Sequence, residues 1–205
     1  MPVVRDRQGD EVNGLKNTVV FFDTETGGLL HKHPTIQLAA IAVGTDWKEL
    51  ETFESKIAFD AATADPEALA MNHYDETAWR GASSERDVVL RFGAFLSRHR
   101  SIELTSKRTG NPYTVARVGG HNVVGFDLDR VAAMFKRHEQ FFPVDFRSVL
   151  DTRYGSGWYF ETQEKQPENF RLTGIAQFFG IPTDGAHDAL VDVRLSIEVA
   201  KRLVA

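Results

Sequence analysis

Residues 18–22, Thr-Val-Val-Phe-Phe, form a β-branched and aromatic run that reads as a buried strand ending at Asp23, and Gly27-Gly28 breaks the chain soon after. Residues 36–43 and 51–57 read as two further strands, and the short connections among the three predict an antiparallel meander. Asp65-Pro66-Glu67 is a helix start, with Asp65 capping and Pro66 in the first turn. Over residues 84–98, Val88, Leu90, Phe92, Phe95 and Leu96 supply the apolar stripe of an amphipathic helix. Residues 115–120, Val-Ala-Arg-Val-Gly-Gly, read as a strand feeding a helix through Leu128, Val131, Ala132 and Phe135, which implies a parallel crossover. Two helices close the chain: 172–179, ended by Gly180-Ile181-Pro182, and 188–204, with Val193, Ile197, Ala200 and Val204 on one stripe. Together these elements predict an α/β fold, a mixed β-sheet of antiparallel meander plus parallel strands flanked by helices.

Three segments fall outside that skeleton. Residues 1–17 are polar and read as a loose N-terminal arm before a single domain at 18–205. Residues 101–113 and 153–170, rich in Gly, Pro, Lys and Glu, read as long polar loops, and connections of that length are often functional.

Composition narrows the function classes. The 205 residues include no Cys, which excludes a thiolate nucleophile, a zinc ribbon and a disulfide framework. The longest apolar run, 38–43, is far short of the roughly 20 residues of a membrane-spanning helix. Charges at Arg5, Asp6, Arg7 and Asp10 stand where a signal peptide needs its apolar stretch, so a cytoplasmic location is expected and no membrane partner. The net charge of −5 argues against an indiscriminate binder of nucleic acid.

The candidate chemistry lies in three short stretches. Asp23 and Glu25 are two apart at a strand end, so in extended chain both carboxylates project to one side. Like charges held that close raise each other's pKa unless a cation intervenes, and hard oxygen ligands suit Mg²⁺ or Mn²⁺. His121-Asn122-Val123-Val124-Gly125-Phe126-Asp127 follows the strand and its double glycine, and Asp127 opens a helix. His187-Asp188-Ala189-Leu190-Val191-Asp192 stands near the C-terminus. A separation of five residues is about 140° around a helix, so His187 must precede the helix to share a site with Asp192.

These stretches resemble the motifs of the DEDDh, or DnaQ-like, 3′–5′ exonucleases of the ribonuclease H-like superfamily. The first matches at Phe22-Asp23-Thr24-Glu25-Thr26-Gly27-Gly28-Leu29, the second at Asn122 with Phe126-Asp127, and the third at His187 with Asp192, all in family order. The resemblance implies that Asp23, Glu25, Asp127 and Asp192 hold two divalent cations, with Asp23 bridging, and that His187 is the general base. Two such ions clamp a phosphodiester in a known hydrolytic arrangement, and an imidazole is poised near neutral pH to take a proton. Setting those four acids aside leaves 25 acidic residues against 24 basic ones, so the acidic balance no longer opposes a nucleic-acid substrate. Gly27 stands where many members of the family carry a second Thr.

Substrate contacts follow with less definition. Leu29 matches the family's position for an apolar wedge against the terminal base, although a core staple beside a Gly turn explains it equally well, and Thr26, Gly27 and Asn122 are further candidates for substrate contact. Met71 and His73, near the first helix, are candidates for the terminal nucleotides, against core packing and a surface turn. Between residues 100 and 138 there are seven Lys/Arg and three Asp/Glu, so Lys107, Arg108 and Arg117 are candidates for phosphates. Trp158, Tyr159 and Phe160 are candidates for stacking on bases, although a loop anchored in the core explains the trio equally well. Arg130, Lys136 and Arg137 read as a solvated helix face. The expected activity is release of nucleoside monophosphates from 3′ ends, of single-stranded DNA in preference to RNA. The alternatives are an RNA trimmer resembling oligoribonuclease, or a partner-dependent proofreading or nucleic-acid-binding module. A homodimer, or a polymerase or repair partner, is compatible with the sequence.

Overall fold

The structure, a computed structural model, describes residues 3–5 and 11–205. β1 (Val3–Arg5) and β2 (Glu11–Asn13) pair as a separate antiparallel ribbon. The expected arm thus holds regular structure at those positions, while residues 1–2 and 6–10 lie outside the described residues. Leu15, just beyond β2, is buried against the main core.

The main sheet grows from the predicted meander. β3 (Val19–Thr26), β4 (Thr35–Val43) and β5 (Glu49–Lys56) pair antiparallel in sequence order. A short 3₁₀ turn, α1 (Pro66–Met71) and α2 (Glu76–Trp79) lead to α3 (Glu85–Arg98). Asp65 accepts a hydrogen bond from the Glu67 amide, so the cap read in the sequence is in place, and Ser84 caps α3 by accepting one from the amide of Asp87. β6 (Arg100–Thr105) and β7 (Pro112–Gly120) form a hairpin, α4 (Asp127–Arg137) follows, and β8 (Leu150–Asp151) runs directly into α5 (Thr152–Glu161). α6 (Leu172–Phe178) and α7 (Ala189–Leu203) complete the chain. The sheet order is β5-β4-β3-β7-β6, with β7 parallel to β3 and β8 parallel to the end of β7.

Period-two alternation along β3 sends its side chains to two cores. Val20 and Phe22 join Phe92 and Phe95 of α3 and Val131 and Phe135 of α4 on one face. Val19 and Phe21 join Val193 and Ile197 of α7 on the other. β4 is buried along its whole length because helices cover both faces of the sheet. A third cluster unites Phe160 of α5, Ile175 of α6 and Leu195 of α7.

Two expectations are corrected. Residues 101–113 are mostly the β6–β7 hairpin, with Ile102 and Leu104 alternating with polar residues on an edge strand and Gly110 in the left-handed region at the turn. Residues 153–170 hold most of α5, whose buried positions are Thr152, Ser156 and Phe160. Those positions have helical spacing, but two of the three are small and polar, so the stripe does not read as apolar. Tyr159 and Phe160 are anchors in the third cluster, and only Trp158 stands out, 82% exposed.

Candidate active site

The alternation that sorts the core also sorts the acids. Asp23 and Glu25 continue the Val19 and Phe21 side of β3, toward α7, whereas Thr24 continues the Val20 and Phe22 side, toward α4. Asp192, in the first turn of α7, therefore meets Asp23 and Glu25, and the three offer ligand atoms that all lie within 4.8 Å of one another. Thr24 holds the fourth acid. Its amide donates to Asp127 Oδ1 at 3.1 Å and its hydroxyl donates to the same oxygen. β3 extends to Thr26, past the strand end expected at Asp23, so the first two acids sit on rigid paired strand.

Glycines bring the second motif close. A Cβ on Gly119 would lie 2.9 Å from the Leu150 carbonyl oxygen, and one on Gly120 would lie 2.7 Å from that of Phe22. The double glycine thus lets β7 approach β3 and β8 at the end of the sheet where the acids gather. Asp151 then fixes the following loop. It accepts hydrogen bonds from the amides of Asn122 and Val124, both at 3.0 Å, and from that of Arg153 at 2.9 Å, which caps α5. Asn122 adopts a left-handed φ of 58°.

His187 lies just before α7, with a left-handed φ of 71°, and its amide donates to Asp192 Oδ2 at 3.4 Å. Asp188 caps the helix through the amides of Leu190 and Val191. His187 is thus outside the helix, as its spacing to Asp192 requires, and exposed at the mouth. A cavity of about 290 Å³ collects Asp23, Glu25, Asp127, His187 and Asp192 together with Asn122.

Electrostatics of the cavity favour a cation. Burial, reinforced by Asp127, Glu25 and Asp192, raises the pKa of Asp23 well above the carboxylate range. Glu25 is pushed up to about 7 by burial and then by Asp192 and Asp127. Asp127 is also raised to about 7, by burial, against the opposing Thr24 hydrogen bonds. Asp192 is raised by burial too, and its Oδ1 is buried without a hydrogen-bond partner among the described residues. Clustered carboxylates with an orphaned oxygen fit a hard divalent ion.

His121 lines the same cavity but cannot serve as its base. Its Nδ1 pairs with Thr152 Oγ1 at 2.9 Å and its Nε2 with the Phe170 carbonyl at 3.2 Å. Burial pushes its pKa down to about 4, so it stays neutral and structural.

The remaining substrate-contact expectations divide. Leu29 is 84% exposed on the turn after β3, and Gly27 packs where a Cβ would lie 2.7 Å from Ala64 Cβ. Thr26 is buried and donates to the Gly28 carbonyl. Its own carbonyl accepts from Asn72 at 2.8 Å, which brings the end of α1, with exposed Met71 and His73, to the same turn. Lys107 and Arg108 are not brought to the site. They lie in the hairpin turn before β7, whereas the acids flank its end, and eight residues of strand span roughly 25 Å. Trp158 lines a separate groove beside Trp47 and Val204, outside the acidic cavity. Arg117 is turned to the Ser148 carbonyl at 3.0 Å. The arginines that line the cavity are Arg153 and Arg171, at the starts of α5 and α6; the first is hidden in the sequence by the segment that reads as loop, and the second stands just before the helix read at 172–179 with no motif to single it out.

No family model matches the sequence, and no curated protein matches it. Solved structures do match. Exonuclease I aligns with a TM-score of 0.73 and 21% identity over 92% of this chain and 41% of its own. E. coli exonuclease I in complex with a dT13 oligonucleotide aligns at 0.72 and 19%, over 92% and 41%. A product-bound exonuclease I aligns at 0.71 and 18%, over 93% and 43%. This chain therefore spans about two fifths of the length of those structures. At this level of identity the correspondence is one of architecture: the chain shares the fold of exonuclease I, and it carries an acidic cluster at the end of β3.

Proposed function

We propose that the chain is a divalent-metal-dependent 3′–5′ exonuclease that releases nucleoside monophosphates from single-stranded DNA. The observation that carries this reading is the meeting of Asp23, Glu25 and Asp192, with ligand atoms within 4.8 Å of one another. It is supported by the fold shared with E. coli exonuclease I, which has been solved with dT13 and dA16 oligonucleotides and in a zinc-bound form with single-stranded DNA.

In this reading Asp23, Glu25, Asp127 and Asp192 would hold two divalent ions, Mg²⁺ or Mn²⁺. Such ions neutralise the scissile phosphate and lower the pKa of the attacking water. The chain's own residues do the rest. Thr24 keeps Asp127 oriented through its Oδ1 and leaves the second oxygen free of that bond. An imidazole nitrogen of His187 accepts the proton of the attacking water, which its exposed position before α7 allows. Arg153 and Arg171 meet the phosphates on either side of the scissile bond.

The test is a gel time course with a 5′-labelled single-stranded DNA 20-mer, its RNA equivalent and a 3′-phosphorylated DNA, in Mg²⁺, Mn²⁺ or chelator. A ladder shortening from the 3′ end, dependent on metal, is expected, with DNA cut faster than RNA. Asp23→Ala and Asp192→Ala should each lower the rate at least 1000-fold, by analogy with other groups that act as a unit in catalysis. Retained cleavage in either variant refutes the assigned site, and faster cleavage of RNA reassigns the substrate.

A further inference from the structure

Arg130 is the one helix-face cation whose expected solvation is reversed. It stands one turn after Asp127 on α4 and is 6% exposed. Its Nη2 donates to three successive carbonyls, those of Gly28 at 3.1 Å, Leu29 at 2.7 Å and Leu30 at 3.3 Å. Nη1 reaches the His33 carbonyl at 3.5 Å, and the guanidinium lies 4.1 Å from the Phe126 ring centroid. A buried cation is ordinarily matched by a carboxylate. Here the nearest acid acts only through space, Asp127 holding the guanidinium's charge in place against burial, while carbonyl dipoles and an aromatic face supply the contacts.

The clamped turn has unusual features of its own. Gly28 has φ of 142°, and a Cβ there would fall inside the His33 ring. The His33 amide closes the turn on the Leu30 carbonyl at 2.9 Å. Two consecutive leucines nevertheless face out, Leu29 at 84% and Leu30 at 58% exposed. The clamp ties their turn to α4, which carries Asp127, while the chain ties it to β3, which carries Asp23 and Glu25. The leucines are thereby held at a set place relative to all three acids.

We infer that Arg130 is a positioning residue: by fixing the turn 28–33 it holds Leu29 and Leu30 as an apolar platform for the 3′-terminal base of the substrate. The inference rests on the nuclease reading for its substrate. What the guanidinium adds over a lysine ammonium is a second nitrogen, which takes the His33 carbonyl while the first spans residues 28–30, and a flat face for the Phe126 ring.

The experiment compares wild type, Arg130→Met, Arg130→Lys, a Leu29→Ala/Leu30→Ala protein and the combination of Arg130→Met with both leucine changes. One readout is the ratio of kcat/KM on a dT oligomer to kcat/KM on bis(p-nitrophenyl) phosphate, a diester with no base. The other is binding, in Ca²⁺, of an oligomer with 2-aminopurine at its 3′ end, followed by fluorescence. Both Arg130 variants and the leucine pair should lower the ratio and the affinity at least 10-fold, and the combination should lose no more than the larger of its parts. A purely structural lesion lowers both activities in proportion and leaves the ratio unchanged, which overturns the inference. So do losses that multiply in the combination, or a lysine that restores the wild-type ratio. The leucine pair is exposed, so that arm does not depend on Arg130 variants folding. If wild type binds the 2-aminopurine oligomer with the same non-additive pattern yet cleaves neither substrate, the inference stands and the nuclease reading falls. A wild type that neither binds nor cleaves overturns both.

Discussion

Glu25 keeps its proton into the neutral range, with a pKa of about 7 against an ordinary 4.5, chiefly because it is buried and then because Asp192 and Asp127 repel its charge. A carboxyl raised in the folded state binds more protons than its unfolded counterpart between those two values, so stability falls as pH rises through that window. Glu25→Gln, in chelator, should therefore be more stable than wild type at pH 8 by roughly 2 kcal/mol, with the advantage shrinking below pH 7 and vanishing near 4.5. His121 has the opposite sign. Its pKa is pushed down to about 4, so its contribution is present above about 6.5 and fades as pH falls, but it is common to both proteins and cancels in the difference. Urea unfolding at pH 5, 6, 7 and 8 reads the effect. Mg²⁺ should erase it by stabilising wild type more than the Gln variant. Equal stabilities at pH 8 without metal would show that Glu25 is not under electrostatic strain.

At the scale of elements, the two glycines at the end of β7 make the most direct prediction. Gly120→Ala would force β3 and β7 apart at the acids, because its Cβ would meet the Phe22 carbonyl at 2.7 Å, a backbone atom with no rotamer to escape into. A destabilisation of roughly 1–3 kcal/mol is expected, typical of overpacking, and circular dichroism during urea unfolding measures it. No loss would mean that the strands separate freely there. The same scale shows what could be read in the chain. β3, β4, α3 and α7 carry strong apolar patterns because each packs against a core, and they were legible. Periodicity by itself paired only Asp23 with Glu25 and set His187 ahead of its helix; it was the ordered resemblance of three motifs that joined Asp127 and Asp192 to them, and the structure gathers all five in one cavity. α5 was hidden by Thr152 and Ser156 standing in its buried stripe, and β6 by its edge position. The arginines followed suit. Arg153 was lost with the segment that reads as loop, Arg171 because nothing marks the residue before the next helix, and Arg130 because four carbonyls, a partner set with no sequence signature, take it out of solvent.

The whole molecule carries a net charge of −5, so in the nuclease reading the hold on a nucleic-acid strand comes from local contacts rather than from long-range attraction. Two arginines line the acidic cavity, whereas Lys107 and Arg108 lie roughly 25 Å away at the far end of β7. A binder that neutralises two phosphates of a single strand releases few counterions, and its log affinity should fall with log salt at a slope of about −1.4. At fixed Mg²⁺, kcat/KM on a dT 20-mer between 50 and 200 mM KCl should show that slope. Arg153→Ala and Arg171→Ala should each flatten it by about 0.7, while Lys107→Ala/Arg108→Ala leaves it unaltered. So shallow a dependence also implies weak retention between cuts, so this 205-residue polypeptide should release its substrate after few steps when a heparin trap is added during digestion. A slope steeper than about −4, or one that the hairpin variant flattens, would instead mean that the strand crosses the molecule from the cavity to the β6–β7 turn.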